Sequence, residues 1–97
     1  MGKMISAYTK DTDHCIVCGR RREHWHHVYG ASDKKSSEKF HYLLPLCGEH
    51  HNLSDNGIHF NHEMDYHYKQ LGYEMFKRDY PTLRWLDYFR KQYEKEN

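Results

Sequence analysis

The sequence predicts a small α+β domain in which a metal cluster stands in for a large core. Three observations lead there. Every cysteine and most of the histidines fall between residues 14 and 62, in short-spaced pairs. Two short extended runs, His26–Tyr29 and Phe40–Leu46, lie between those pairs. Beyond residue 62 the apolar spacing becomes helical. The 97 residues suffice for one domain, 1–97, with a metal-rich part over 14–62 and a helical part over 63–97.

Composition explains why a metal is needed. Only 37% of the chain is hydrophobic and 30% is charged, so little apolar surface is available for burial. Nine tyrosines supply bulk with polar tips, suited to a thin core near water. The net charge of +1 argues neither for nor against nucleic acid. Ten histidines are the anomaly, since imidazole is the commonest protein metal ligand. Three cysteines cannot all pair within the chain. Met1 to Ala7 lacks the apolar run of a secretory leader, and no stretch is long enough to span a bilayer. The expectation is a reducing, cytoplasmic setting and no membrane partner, where C-x-x-C reads as metal or redox chemistry.

The elements follow in order. Residues 1–13 are a polar lead-in. Cys15-Ile16-Val17-Cys18-Gly19 is a tight turn with glycine after the second cysteine. His26–Tyr29 is bulky and partly β-branched, hence a strand. Gly30–Lys39 is polar and reads as a loop, and Phe40–Leu46 as the returning strand of a loose hairpin. Gly48–Leu53 is expected to be a short helix, ended by the turn signal Asn56-Gly57. Met64, Tyr68, Leu71, Met75 and Phe76 share one helical face. Pro81 ends that helix, Thr82 caps a second one, and Leu83, Leu86, Tyr88, Phe89 and Tyr93 form its apolar side.

Cys15-x-x-Cys18 and Cys47-x-x-His50, 28 residues apart, together offer a Cys3His set. That is an ordinary ligand set for tetrahedral structural Zn2+, and one pair on a turn with the other at a helix start is the layout of a treble clef. The alternative is a redox pair at Cys15 and Cys18. It calls for a helix N-terminus in a larger α/β sheet, which this chain lacks.

His26, His27, His51 and His59 remain inside the clef. Successive helix residues diverge by about 100°, so His50 and His51 can serve two different metals. His50 closes the zinc set and His51 faces the hairpin. On a regular strand His26 and His27 point to opposite faces. Both reach one site only if the strand ends or bulges there.

The order Cys-x-x-Cys, His26-His27, then Pro45-Leu46-Cys47-x-x-His50-His51 resembles HNH (ββα-metal) endonucleases. The strings His26-His27-Val28-Tyr29-Gly30, Lys34–Lys39, Leu46–Asn52 and Ile58–Asn61 look like small HNH proteins of phage and prophage origin, some of them recombination-associated. The resemblance spans about residues 14–80. It implies a ββα-metal core within the clef, followed by the two C-terminal helices. It implies His27 as general base and His26 and His51 as ligands of a catalytic divalent metal (Mg2+, Mn2+, Ni2+ or Zn2+). His59 is the first choice for a third ligand, ahead of Asp55 and Asn61. It further implies a bacterial host cell, DNA as substrate, hydrolysis to a 3′-hydroxyl and a 5′-phosphate, and a second copy or a recombination or replication protein as partner. One position departs from the pattern: Tyr42, beside His41, stands where the family usually has the Asn that orients the base. His41 or a backbone carbonyl is then needed in its place.

Arg20, Arg21, Arg22, Lys34, Lys35 and Lys39 flank the expected site and are candidates for DNA phosphates, a solvated loop being the alternative. Trp25 is assigned to core packing, with a wall of the site as the other reading. The competing function is a non-catalytic zinc module that binds DNA or protein. Metal count separates the two, because only the nuclease needs a second ion.

Overall fold

The computed structural model describes residues 4–53 and 57–93. It is an α+β arrangement around a two-stranded antiparallel sheet. Strand β1 is His24–His27 and β2 is Leu43–Leu46. They pair His24↔Leu46, Trp25↔Pro45, His26↔Leu44 and His27↔Leu43. The Val28 N–H to Tyr42 carbonyl bond, 3.0 Å, extends the ladder by a step. β1 thus begins two residues earlier than the composition of His26–Tyr29 suggests.

All four residues of β2 are buried, and its outer edge is covered by the chain that precedes β1. Ala7 N–H reaches the His41 carbonyl (2.7 Å), Ser6 Oγ the Leu43 carbonyl (2.5 Å) and Ile16 N–H the Pro45 carbonyl (2.9 Å). The step of two matches the pleat, so every outward carbonyl over this stretch is satisfied. The polar lead-in therefore serves as an edge cover.

The segment expected to be a loop between the strands is instead a 3-10 turn, Ala31–Asp33, running into helix α1, Lys34–Phe40. Only Ser37 and Phe40 of α1 are buried, one turn apart. A helix with one large apolar residue leaves almost no periodic signal. Ser37 Oγ supplies what periodicity does not: it donates to the Tyr29 carbonyl (2.7 Å) and accepts from the Tyr29 N–H (3.1 Å). His41 ends α1 in the left-handed region, φ 63°, and Tyr42 N–H closes back on the Ser37 carbonyl. Phe40 thus belongs to the helix, and the returning strand starts three residues later than expected.

After a π-helical turn, Glu49–Leu53, comes helix α2, His62–Asp79. Asn61 caps it, its side chain accepting from the Met64 N–H at 3.1 Å. The buried face of α2 is Gly72, Tyr73 and Phe76, with Met64, Tyr68 and Met75 packed beside it. Leu71, expected on that face, is 39% exposed. Gly72 takes its place because Tyr8 and Tyr29 reach over it, their hydroxyls donating to the Tyr68 and Lys69 carbonyls at 2.8 and 2.5 Å. A Cβ on Gly72 would lie 2.5 Å from the Tyr8 hydroxyl and nearer still to that of Tyr29. Gly72→Ala should therefore destabilise the protein by about 2–4 kcal/mol despite the better helix propensity of alanine. Urea unfolding checks this.

The second C-terminal helix does not form. Residues 82–93 carry only a 3-10 turn at Trp85–Asp87. The polar groups that a helix would use go to tertiary partners. Ser36 Oγ donates to the Tyr88 carbonyl, Trp85 Nε1 donates to the Lys91 carbonyl, and Asp33 Oδ2 accepts from the Arg90 N–H. Trp85 and Phe89 stack at 4.0 Å and close the core over Tyr29, whereas Leu83 and Leu86 stay exposed. Among the described residues no helix is long and apolar enough to cross a membrane.

Candidate functional site

Two side-chain clusters meet at the π-helical turn. In the first, ligand atoms of Cys15, Cys18, Cys47 and His50 all lie within 4.8 Å of one another. Cys18 Sγ and Cys47 Sγ are 3.6 Å apart, Cys47 Sγ and His50 Nδ1 3.3 Å, and Cys15 Sγ and His50 Nδ1 3.9 Å. Tetrahedral Zn2+ with these ligands has edges of about 3.3–3.8 Å, so the cluster can hold a metal ion such as zinc. Local chemistry builds it. Gly19, at φ 80°, turns the first knuckle, and its N–H closes on the Cys15 carbonyl at 2.9 Å. Glu23 Oε1 accepts the Gly48 N–H at 2.9 Å and so fixes the start of the turn that carries His50.

The second cluster joins His26, His51 and His59. His26 comes from β1 and His51 from the π-helical turn. His59 is brought back by two backbone bonds, Ile58 N–H to the His50 carbonyl (2.8 Å) and His59 N–H to the His51 carbonyl (3.3 Å). His51 Nε2 and His59 Nε2 are 3.1 Å apart, close to the roughly 3.3 Å edge of a tetrahedral imidazole site. His26 Nε2 is buried without a hydrogen-bond partner. Such an orphaned nitrogen is expected where a ligand completes the site.

Burial, followed by the neighbouring His59, His51, His27 and Lys69, pushes His26 down to about 3. Burial, then His59 and His24, pushes His51 down to about 4. Both imidazoles are thus neutral at physiological pH, the form that ligates metal. An unfolded histidine takes its proton near pH 6.5, whereas the folded state refuses it. Their contribution is therefore complete above about pH 6.5 and is lost as pH falls toward 3, on the order of 4 kcal/mol from His26. Acid titration should show stability and metal retention falling together through that window. Metal-monitored denaturation, with no loss of either by pH 4, would contradict it.

Gly57 sets the return of His59. A Cβ there would lie 2.6 Å from the His51 carbonyl oxygen, a backbone atom that no rotamer change can move. Gly57→Ala should displace His59 and abolish the binding of any ion that His26, His51 and His59 hold together. Elemental analysis of the purified variant measures this.

The cluster opens into a cleft of about 510 Å³. His27, the last residue of β1, also lines it, along with Trp25, Lys34, His62, Asp65 and Lys69. Trp25, His26 and His27, consecutive on β1, all border this one space. His27 Nε2 is 3.0 Å from Glu38 Oε1 of α1. Trp25 lies half-buried against the cleft, outside the apolar core, with the Arg22 guanidinium 4.9 Å from its ring centroid.

The expected residues are thus partly brought together. His41 is exposed at the end of α1 and does not line the cleft, and Tyr42 is in the core. Asn61 is used as a helix cap, and Asp55 lies outside the described residues. Of the six basic candidates only Lys34 lines the cleft. Arg20 pairs with Glu49 at 2.6 Å, and Arg22 Nε donates to the Thr12 carbonyl at 2.7 Å. Arg21, Lys35 and Lys39 are exposed. Glu38 was hidden because its helix was. His24, whose ring lies 4.8 Å from that of His51, was findable, since it sits two residues before His26 on the same strand face. Comparison with protein-family models, with characterised proteins and with solved structures finds no match for this chain.

Proposed function

We propose that this chain is a metal-dependent DNA endonuclease of the HNH (ββα-metal) type, stapled by Zn2+ at Cys15, Cys18, Cys47 and His50 in a treble-clef layout. The observation that carries the reading is the His26–His51–His59 cluster, with its buried, unpartnered imidazole nitrogen, opening into the cleft that His27 lines. Three imidazoles suit Zn2+ or Ni2+ better than Mg2+, which prefers carboxylate and water oxygens. Such an ion supplies Lewis-acid stabilisation of charge on a phosphate and its leaving oxygen.

The chain's own groups do the rest. With Nε2–H donated to Glu38, His27 is held with its lone pair on Nδ1, ready to take a proton from water as general base. Glu38 so fills the orienting role for which the sequence offers no Asn. Lys34 and Lys69 in the cleft supply positive charge for phosphate oxygens. A phage-derived enzyme of DNA recombination or processing, working as a homodimer or beside a recombination or replication protein, fits this chemistry.

The test is supercoiled plasmid incubated with Zn2+, Ni2+, Mn2+ or Mg2+, alongside a metal count. Two metals per chain and cleavage that His27→Ala removes are expected. One metal and no cleavage in any ion would leave a zinc module that only binds.

A further inference from the structure

A second groove, of about 640 Å³, shares Gly30, Ala31 and Lys69 with the cleft of the histidine cluster, so the two are continuous. Its other walls include Arg90, Lys91 and Tyr93, contributed by the C-terminal segment. Among the described residues neither the Arg90 nor the Lys91 side chain forms an ion pair. Lys69 lies where the grooves join, held by Asp65 at 2.8 Å with its Nζ 6.0 Å from the Tyr93 ring centroid. Asp33 is the one acid on the wall and accepts the Arg90 backbone N–H. The backbone here is anchored, because the Lys91 carbonyl receives the Trp85 indole N–H. These cations are therefore presented from a fixed segment.

We propose that this second groove binds the phosphodiester backbone of the DNA strand flanking the scissile bond, with Lys69, Arg90 and Lys91 as phosphate contacts and Tyr93 as a stacking face. This rests on the nuclease reading and adds the path of the substrate. The strand runs from the histidine cluster across Gly30 and Ala31 toward the C-terminal segment. Both small residues let a backbone pass close. The basic residues of the first knuckle are not on this path, and two of them are already engaged by Glu49 and Thr12. A base stacked on an aromatic ring and cations that follow the backbone are the usual means of holding a strand without reading its sequence.

The experiment uses the full chain with its metals, carrying His27→Ala to prevent cutting, and a fluorescent 20-base-pair DNA duplex in anisotropy titrations over a range of salt. Adding Arg90→Gln and Lys91→Gln should weaken binding about tenfold and flatten the dependence of log K on log salt by about 2. The alanine pair at the same positions should behave alike, and Lys35→Ala with Lys39→Ala should change neither quantity. Unchanged binding by both the Gln and the Ala pairs, or an equal loss on changing Lys35 and Lys39, would overturn the proposal. Binding that obeys the pattern in a wild-type protein that cuts nothing would retain the groove and discard the nuclease. Absence of any DNA binding would discard both.

Discussion

Removing the metal from the Cys15–Cys18–Cys47–His50 cluster is expected to unfold the chain rather than loosen it. The strands are four residues each, and the knuckle holds the sheet through one backbone bond to the Pro45 carbonyl. The apolar core is small, and Cys15 and Cys47 are themselves part of it, beside Leu44, Leu46 and Ile58 and continuous with Tyr29, Phe76 and Trp85. Apparent binding free energies of structural zinc sites are about 10–16 kcal/mol. A whole domain is stable by about 5–15 kcal/mol, so the ion decides whether this one folds. Excess chelator, or Cys47→Ala, should abolish the cooperative thermal transition seen by circular dichroism, and added Zn2+ should restore it only for the chelated protein. A transition that survives chelation with no more than a few degrees lost would show that the aromatic core suffices alone.

The second large effect concerns His27. On the proposed nuclease reading, His27→Ala should lower the cleavage rate about 100- to 10,000-fold, the usual worth of a general base, while leaving the metal content unchanged. Glu38→Ala should lower the rate about 10- to 100-fold, as loss of an orienting partner does, with little change in the substrate concentration needed. Glu38→Gln keeps an acceptor for Nε2–H and should recover part of the loss. Nitrogen NMR of His27 provides a readout independent of turnover: one tautomer, protonated at Nε2, in the unaltered protein, and a mixture in Glu38→Ala. A single unchanged tautomer in that variant would remove Glu38 from the mechanism.

The candidate Cys3His site is legible in the sequence because ligand spacing is local chemistry. C-x-x-C and C-x-x-H close on themselves within a turn, and adjacent His50 and His51 diverge for geometric reasons alone. His59 is pointed to by the family resemblance alone, and it is brought in by two backbone bonds that pivot on Gly57. The helix α1 was not legible, because Ser37 holds it through paired bonds to the Tyr29 backbone, a tertiary contact that no periodicity records. The missing second C-terminal helix fails for the opposite reason. Its apolar spacing is real, but its backbone groups are taken by Ser36, Asp33 and the Trp85 indole. With α1 illegible, Glu38 is illegible too, and the sequence alone offers only His41 or a backbone carbonyl as the partner of His27.

The short turn that carries both His50 and His51 gives the two ligand sets a shared hinge. Occupancy at one must then bias the other, and such linkage is reciprocal: whatever factor the first ion adds to the affinity of the second, the second returns to the first. On the proposed nuclease reading, zinc starvation would then silence cutting through the Cys3His site even where another ion occupies the histidine cluster.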